Sequence, residues 1–253
     1  MSTEAKSSQL HELSPSDAIY YRDGVTNSVA ERSMRAARRQ MYSLFCRELS
    51  PTSTTTILDI GVSTVDGPEA NALEKFYPYP NMITCAGLDD GVEVKRTLPG
   101  VNYVQIAPGK PLPFDDKQFE IAYSNAVLEH VGGPAARKAF MSEAMRVAKS
   151  VFLAIPNRWF PIEHHTGLPF LHYSPSLFRR VLNGGDKDYW TKQKNLDFLS
   201  KSILRHEFRQ WNPRLRYAGL VLGPFSSNVA LVCREMRRAS LAARRDLTQA
   251  LQA

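Results

Sequence analysis

Apolar and polar positions divide the chain into short continuous apolar runs separated by stretches of helical period. A short apolar run bounded by turn residues reads as a strand buried on both faces, and apolar positions recurring every three to four residues read as a helix with one core-facing stripe. The first run, 56–60, ends Leu58-Asp59-Ile60 and is followed by Gly61. Further runs lie at 82–88, 101–106, 119–124 and 151–155, the last stopped by Pro156. Helical patterns cover 67–76, with Pro68 in the first turn, and 134–148. A longer helix is predicted over 29–49, with Met34, Met41, Tyr42, Leu44, Phe45 and Leu49 on one side and Arg35, Arg38, Arg39 and Arg47 on the other. Strands alternating with helices predict an α/β fold with a mainly parallel, doubly wound sheet.

Two later apolar runs, 217–223 and 229–233, are joined by the turn-rich 223–228 and predict an antiparallel pair closing one sheet edge. Residues 157–212 break the alternation. They are rich in Pro, Trp, Phe and His, and they read as an insertion covering the top of the sheet. The resulting organisation is a polar arm and capping helix over 1–50, a ligand-binding core over 51–156, an acceptor-side insertion or lid over 157–212, and a closing strand pair with a basic C-terminal helix over 213–253. All four belong to one structural domain, and no internal repeat is evident.

Composition narrows this picture. The 253 residues are 43% hydrophobic and 10% aromatic, enough for one substantial core. Thirty-two basic residues against 25 acidic ones give a net charge of +7. The excess is dispersed except for Arg234, Arg237, Arg238, Arg244 and Arg245, which have no aromatic interleaving and read as a solvated basic helix. Nucleic acid is therefore a disfavoured partner. Cys46, Cys85 and Cys233 are odd in number and lie in apolar segments, so free buried thiols in a reducing compartment are expected. The polar first residues lack a signal-peptide core, and no apolar run approaches a membrane span, so no membrane partner and a cytoplasmic location are expected.

A strand, a glycine turn and a helix place a ligand at the strand's C-terminal end. One glycine stands where a dinucleotide fingerprint has three, with Val62, Ser63 and Val65 filling the loop, so wrapping of a pyrophosphate is disfavoured. An ordinary strand-to-helix turn explains this segment equally well when it is taken alone.

The order of the pieces is more specific. Ile57-Leu58-Asp59-Ile60-Gly61, Gly87-Leu88-Asp89-Asp90, Leu112-Pro113-Phe114-Asp115-Asp116 and the run from Phe119 to Val131, followed by the closing strand pair, together resemble a class I S-adenosylmethionine-dependent methyltransferase of the type 11 methyltransferase-domain group. The resemblance covers roughly residues 55–160. It implies a Rossmann-like sheet and S-adenosylmethionine as cofactor. It places Asp59, Gly61 and Ser63 at the cofactor's amino-acid end and Asp89, or alternatively Asp90, on its ribose hydroxyls. Pro108 and Gly109 would flank the adenine, and Ser124 and Asn125 would lie beside the sulfonium. The chain departs from the family at Val62-Ser63-Thr64-Val65, where more glycines are usual, and at Pro108, where many members carry an aspartate. The segment 156–165 resembles a subgroup found beside glycan and secondary-metabolite enzymes.

Methyl transfer to a hydroxyl benefits from a general base, for which histidine is suited. His165, His164 and His130 are the candidates, and Trp159, Glu163, Phe170, His172 and Tyr173 are expected to meet an acceptor. The plainer alternative makes the aromatic residues the core of the insertion. No metal site is expected, because adjacent histidines in an extended chain point apart and no second cluster has metal-like spacing. The leading reading is methyl transfer to a small molecule, a hydroxyl of a sugar or secondary metabolite. The alternatives are a non-catalytic binding protein that keeps the fold, or methylation of RNA or protein. The acceptor and any homo-oligomer are left open.

Overall fold

A computed structural model describes residues 28–64 and 70–235, with side chains from residue 32. The elements run α1 Ser28–Leu49, β1 Ile57–Ile60, α2 Ala72–Phe76, β2 Ile83–Gly87, α3 Val92–Thr97, β3 Asn102–Gln105 and β4 Phe119–Asn125. They continue with α4 Pro134–Val147, β5 Ala148–Pro156, α5 Pro175–Leu182, α6 Lys201–Glu207, β6 Arg214–Leu222 and β7 Phe225–Arg234. The seven strands form one sheet in the order β3-β2-β1-β4-β5-β7-β6. The first five are parallel, and β7 runs antiparallel to both β5 and β6.

All four residues of β1 are buried because the sheet is covered on both faces. On one face Leu58, Ile60, Ala122, Val151 and Leu153 pack with Met141 of α4 and Leu204 of α6. On the other, Ile57, Cys85, Tyr123 and Phe152 pack with Met41 and Phe45 of α1. Phe45 meets Tyr123 and Phe152 edge-on, and those two rings stack on each other at 5.6 Å. The first helix is thus a layer of the core as well as a cap. Cys85 and Cys233 are buried free thiols as expected, and Cys46 is half-buried.

Several boundaries differ from expectation. The helix predicted over 67–76 is the five-residue α2, preceded by Asn71 in the left-handed conformation, and 65–69 lie outside the described residues. β5 begins at Ala148, because Phe119 of β4 pairs with it there. The closing strands are longer than their apolar runs. They meet at Gly223-Pro224, so 225–228 are strand, held by pairing with β6 and, from Asn228 on, with β5 as well. The insertion is also shorter than expected. Leu204 and Phe208 are fully buried in the main core, so 201–211 completes the sheet's outer layer, and 157–200 carries a separate small cluster of Phe178, Trp190 and Leu196. The expected N-terminal arm lies outside the described residues except for its last residue, Ser28, which opens α1; the basic C-terminal helix lies outside them after Glu235. No helix among the described residues is long and apolar enough to cross a membrane.

One buried cation ties these parts together. Arg137 of α4 donates to both carboxylate oxygens of Glu207 at 2.9 and 2.6 Å, to Asp197 at 2.5 Å and to the Gly132 carbonyl at 3.0 Å. Its side chain is 3% exposed, so the two carboxylates depend on it for compensation. Breaking such a buried cluster from one side leaves unpaired charge. Arg137→Met is expected to cost about 3 kcal/mol or more, read as a lowered urea midpoint with an unchanged slope.

Candidate active site

The strand order reverses between β1 and β4, which lie side by side with β2 and β5 outside them. In an open α/β sheet this crevice at the strands' C-terminal ends is where ligands bind. Gly61 turns the chain there with φ +97°, and its N–H donates to the Ala86 carbonyl at 2.8 Å. A Cβ at Gly61 would collide with the side chain of Val127, so only glycine fits both the backbone and the space. Asn71 clamps the loop that follows. It accepts from the Ser63 N–H at 3.0 Å and donates to the Ser63 carbonyl at 2.8 Å. The main-chain groups of Ser63 are therefore already engaged.

Asp59 stands in register with Cys85 and Tyr123, buried on the α1 side of the sheet. Burial, and then the neighbouring Glu74 carboxyl, push its pKa well above the usual carboxylate range. Oε2 of Glu74 has no hydrogen-bond partner, so two carboxyl groups share one apolar space. Ser124 is buried and donates its hydroxyl to the Ile60 carbonyl at 2.6 Å, which pins β4 to β1. Asn125 ends β4 with its Oδ1 buried and unpartnered. Ala126 follows in the left-handed conformation, φ +57°.

At the end of β2 the two acids separate by role. Asp90 accepts the Val92 N–H at 3.0 Å and so caps α3, whereas the Asp89 carboxylate has no hydrogen-bond partner among the described residues. Tyr103 lies beneath this turn and donates to the Asp89 carbonyl at 2.6 Å. Pro108 and Gly109 form an exposed turn closed by Lys110 N–H to the Ala107 carbonyl, with Gly109 at φ +69°.

The acceptor-side candidates divide into an interior group and an outer group. Glu163 is buried, and its oxygens accept four bonds, from the N–H and Nδ1 of His165 and from the N–H and hydroxyl of Thr166. Burial opposes its charge, but His165 and these bonds outweigh it and hold the group well below the usual carboxylate range. His165 turns Nε2 toward His130 Nε2 at 3.1 Å, and His130 Nδ1 lies 2.6 Å from the Asn195 carbonyl. The ring nitrogens that carry these bonds are thus committed. His164 faces the other way, its ring 5.7 Å from that of Phe160, with Nε2 buried and unpartnered. Burial lowers its pKa to about 4. His172 is buried against Tyr173 and Phe198 with Nδ1 unpartnered.

Glu129, Glu163, His164, His165 and His172 help line a cavity of about 20 Å³, which is room for roughly one water molecule and not for an acceptor. Trp159, Phe170 and Tyr173 do not join this cavity. They form an outer aromatic face, with Tyr173 edge-on to Trp159 at 5.5 Å and to Phe170 at 5.8 Å. Trp159 is 45% and Phe170 59% exposed. The expected single acceptor pocket is thus two places, because Glu163 and His172 fold inward to satisfy buried polar groups. Phe178, Trp190 and Leu196 fill the insertion's own core instead.

The chain's likeness to known proteins agrees with this crevice. Residues 58–151 match the family model described as a methyltransferase domain. Over these residues the chain is similar to a methyltransferase domain. Solved structures of the same fold include a SAM-dependent methyltransferase from Aquifex aeolicus, 12% identical with a TM-score of 0.53, covering 88% of this chain and 100% of that one. Magnesium protoporphyrin IX methyltransferase from Synechocystis, solved with bound SAH, is 10% identical with a TM-score of 0.55, covering 91% of this chain and 100% of that one. A protein from Pyrococcus horikoshii is 14% identical with a TM-score of 0.55, covering 86% and 98%. No curated protein matches the sequence.

The groups at the crevice suit S-adenosylmethionine, which carries an ammonium, ribose hydroxyls and no phosphate. Asn125 Oδ1 is a buried acceptor in need of a donor, and Asp89 stands just past the end of β2 with no side-chain hydrogen bond among the described residues. Glu74 and Glu129 are not among the sequence candidates, and both are buried carboxyl groups. Asp59 also has a measurable consequence. Its raised folded-state pKa means that the folded state holds this proton more tightly than the unfolded state. Its contribution to stability is therefore lost as pH rises above the ordinary aspartate value of 3.8 toward the folded value. Asp59→Asn is expected to be more stable than wild type at neutral pH by about 1 kcal/mol or more, with the gap closing as pH falls toward 4. Denaturant titrations without cofactor, at several pH values, check this.

Proposed function

We propose that the protein moves a methyl group from S-adenosylmethionine to a small-molecule acceptor, and that the accepting atom is a hydroxyl of a sugar or secondary metabolite. The observation that carries the acceptor class is the exposed aromatic face of the insertion. Trp159 and Tyr173 meet edge-on, the Arg158 guanidinium lies 4.8 Å from the centre of the Trp159 ring, and the Tyr173 hydroxyl is fixed by donating to the Trp159 carbonyl at 2.7 Å. A rigid indole flanked by a polar cation suits an uncharged ring with apolar faces and hydroxyl edges. Added nucleic-acid-binding elements are not evident in the sequence, which favours a small acceptor over RNA.

In this reading Asp89 takes the ribose hydroxyls, since Asp90 is spent on capping α3. Asn125 Oδ1 accepts from the ammonium end, with the buried Asp59 and Glu74 pair behind β1 giving that end a negative surround. Gly61 supplies a floor without a side chain, the clamped Ser63 loop borders the amino-acid end, and Pro108 and Gly109 border the adenine through backbone and apolar contact. Ser124 acts by fixing β4 on β1. The cofactor supplies a methyl carbon made electrophilic by its sulfonium. The chain's own work is to align the acceptor with that carbon and exclude water. A hydroxyl must also lose its proton. His165 leads the candidates from sequence, but its hydrogen bonds to Glu163 and its contact with His130 leave His164 Nε2 and His172 Nδ1 as the buried histidine nitrogens of the insertion without a hydrogen-bond partner among the described residues; His164, which borders the one-water cavity, would take the proton by way of a single water.

Calorimetric titration with S-adenosylmethionine and its demethylated product tests the cofactor half. Micromolar binding is expected, weakened about tenfold or more in Asp89→Ala and little changed in Asp90→Ala. Binding of neither compound would place the chain among fold-retaining proteins without catalysis. With an acceptor found by a methyl-transfer screen of glycosides and phenols, Trp159→Ala is expected to raise the acceptor KM and leave cofactor affinity unchanged. His164→Ala is expected to lower kcat by about a hundredfold. An unaltered kcat would remove His164 as proton acceptor.

A further inference from the structure

Given the cofactor reading above, on which this step rests, we propose that Arg38 of α1 binds the carboxylate at the amino-acid end of S-adenosylmethionine. The first helix, and not the loop after β1, then receives that charge. The amino-acid end carries a carboxylate beside its ammonium. Asn125 Oδ1 and the acids behind β1 suit the ammonium alone.

The direction of α1 carries Arg38 to the crevice. The helix ends at Leu49, and residues 50–56 lead from it to the start of β1, so its N-terminal half lies toward the strands' C-terminal ends. Near its other end Glu48 pairs with Arg214 and Arg216 of β6. Phe45 rests on Tyr123 and Phe152. Arg38 lies on the same stripe two turns earlier, about 10 Å along the axis, which is the length of about three strand residues. Its level on the sheet is therefore that of Ala126, just past the end of β4. Asn125 alternates with Tyr123 and so turns to the same face of the sheet as α1.

The side chain reaches inward and is not used by the protein. Arg38 is half-buried, whereas Arg35 and Arg39 are exposed. No hydrogen bond or ion pair engages its guanidinium among the described residues. Its charge is nonetheless felt in three places. Burial is the leading influence on the titration of Tyr123, Glu129 and His164, which lie in β4, the turn after it and the insertion, and Arg38 lowers the pKa of all three as a lesser influence. Glu129 does not use up this cation. Burial raises the Glu129 pKa to about 7, His165 opposes this more than Arg38 does, and the basic group beside its Oε1 is His130 at 3.8 Å.

The loop after β1 makes a cation necessary. Successive backbone N–H groups of a glycine turn can receive an anion. Here the Gly61 N–H is spent on the Ala86 carbonyl at 2.8 Å, and the Ser63 N–H on Asn71 at 3.0 Å. An arginine supplies what they withhold. Its planar fork offers two parallel N–H donors to one carboxylate, together with a full charge.

Calorimetry on the full chain compares S-adenosylmethionine with its decarboxylated analogue, which keeps the adenine, ribose, sulfonium and amine. Wild type is expected to bind the carboxylate-bearing ligand at least about tenfold more tightly. Arg38→Met is expected to abolish that preference, weakening S-adenosylmethionine by the same factor and leaving the analogue unchanged. Arg38→Lys keeps part of it, since the charge remains and the fork is lost. Asp89→Ala weakens both ligands alike, and Arg39→Met, at an exposed position, changes neither. Each variant's Tm without ligand reports whether it folds. Wild type that binds both ligands equally, or Arg38→Met that keeps the preference, overturns the proposal and leaves the cofactor reading standing. Wild type that binds neither ligand overturns both.

Discussion

The chain must leave β4 without colliding with β1, and the acceptor side of the protein depends on how it does so. Ala126 takes a left-handed conformation immediately after Asn125, and its N–H is held by the Ala154 carbonyl at 2.9 Å. That single turn sends Val127 onto the bare backbone of Gly61, which fixes the crevice between the two central strands. It leaves Asn125 at the crevice mouth and sends Glu129 and His130 beneath the insertion. A β-carbon on Gly61 or an ordinary extended residue at 126 would be incompatible with this arrangement. Non-glycine residues in this conformation persist where the surroundings over-determine them, and such places cluster at functional sites.

Buried carboxylates organise the rest. Asp59 and Glu74 share an apolar space with no cation in direct contact among the described residues, and they sit behind the strand that ends at the crevice. Glu163 is satisfied by four donors, so the chain from Pro161 to Thr166 wraps around it. Asp197 and Glu207 are satisfied by Arg137. These groups are treated differently because isolated burial of charge is costly, while burial with donors or a counter-charge is not. Asp59 with Glu74 lies on the α1 side of the sheet, and Glu129 lies in the turn after β4 beside His130. The compensated ones hold the insertion to the core.

Much of the sheet was legible because its strands are short, apolar and punctuated. Ile57–Ile60 and Ile83–Gly87 are nearly the runs read from hydropathy, since strands buried on both faces carry little else. The ends were less legible where pairing rather than composition sets them. Ala148, Lys149 and Ser150 are in β5 because β4 or β7 pairs with them, and Phe225 through Asn228 are in β7 because β5 and β6 flank it. The position of the candidates along the strands was legible, their orientation less so. Asp59 and Gly61 lie at the end of β1, Asp89 just past β2 and Asn125 at the end of β4. Whether Glu163 points outward to an acceptor or inward to Thr166 depends on a turn whose hydrogen bonds are local and leave no periodic signal. The pairing of His130 with His165 is a tertiary contact that no spacing rule foretells.

The insertion therefore has two faces with separate tasks. Its outer face keeps Trp159 and Phe170 exposed and Tyr173 half-buried, although an insertion this short has every reason to bury aromatic area. Its interior gives that area to Phe178, Trp190 and Leu196 and then spends space on histidines and a carboxylate, which stabilise only when every polar atom finds a partner. A purely structural cover over the sheet would reverse that choice, with aromatics inside and polar groups outside. Arg137 then joins the end of the insertion, at Asp197, to α4, α6 and the Gly132 carbonyl, and the Asp197 N–H donates to the Glu129 carbonyl, so the insertion is tied to the turn after β4 by charge and backbone together.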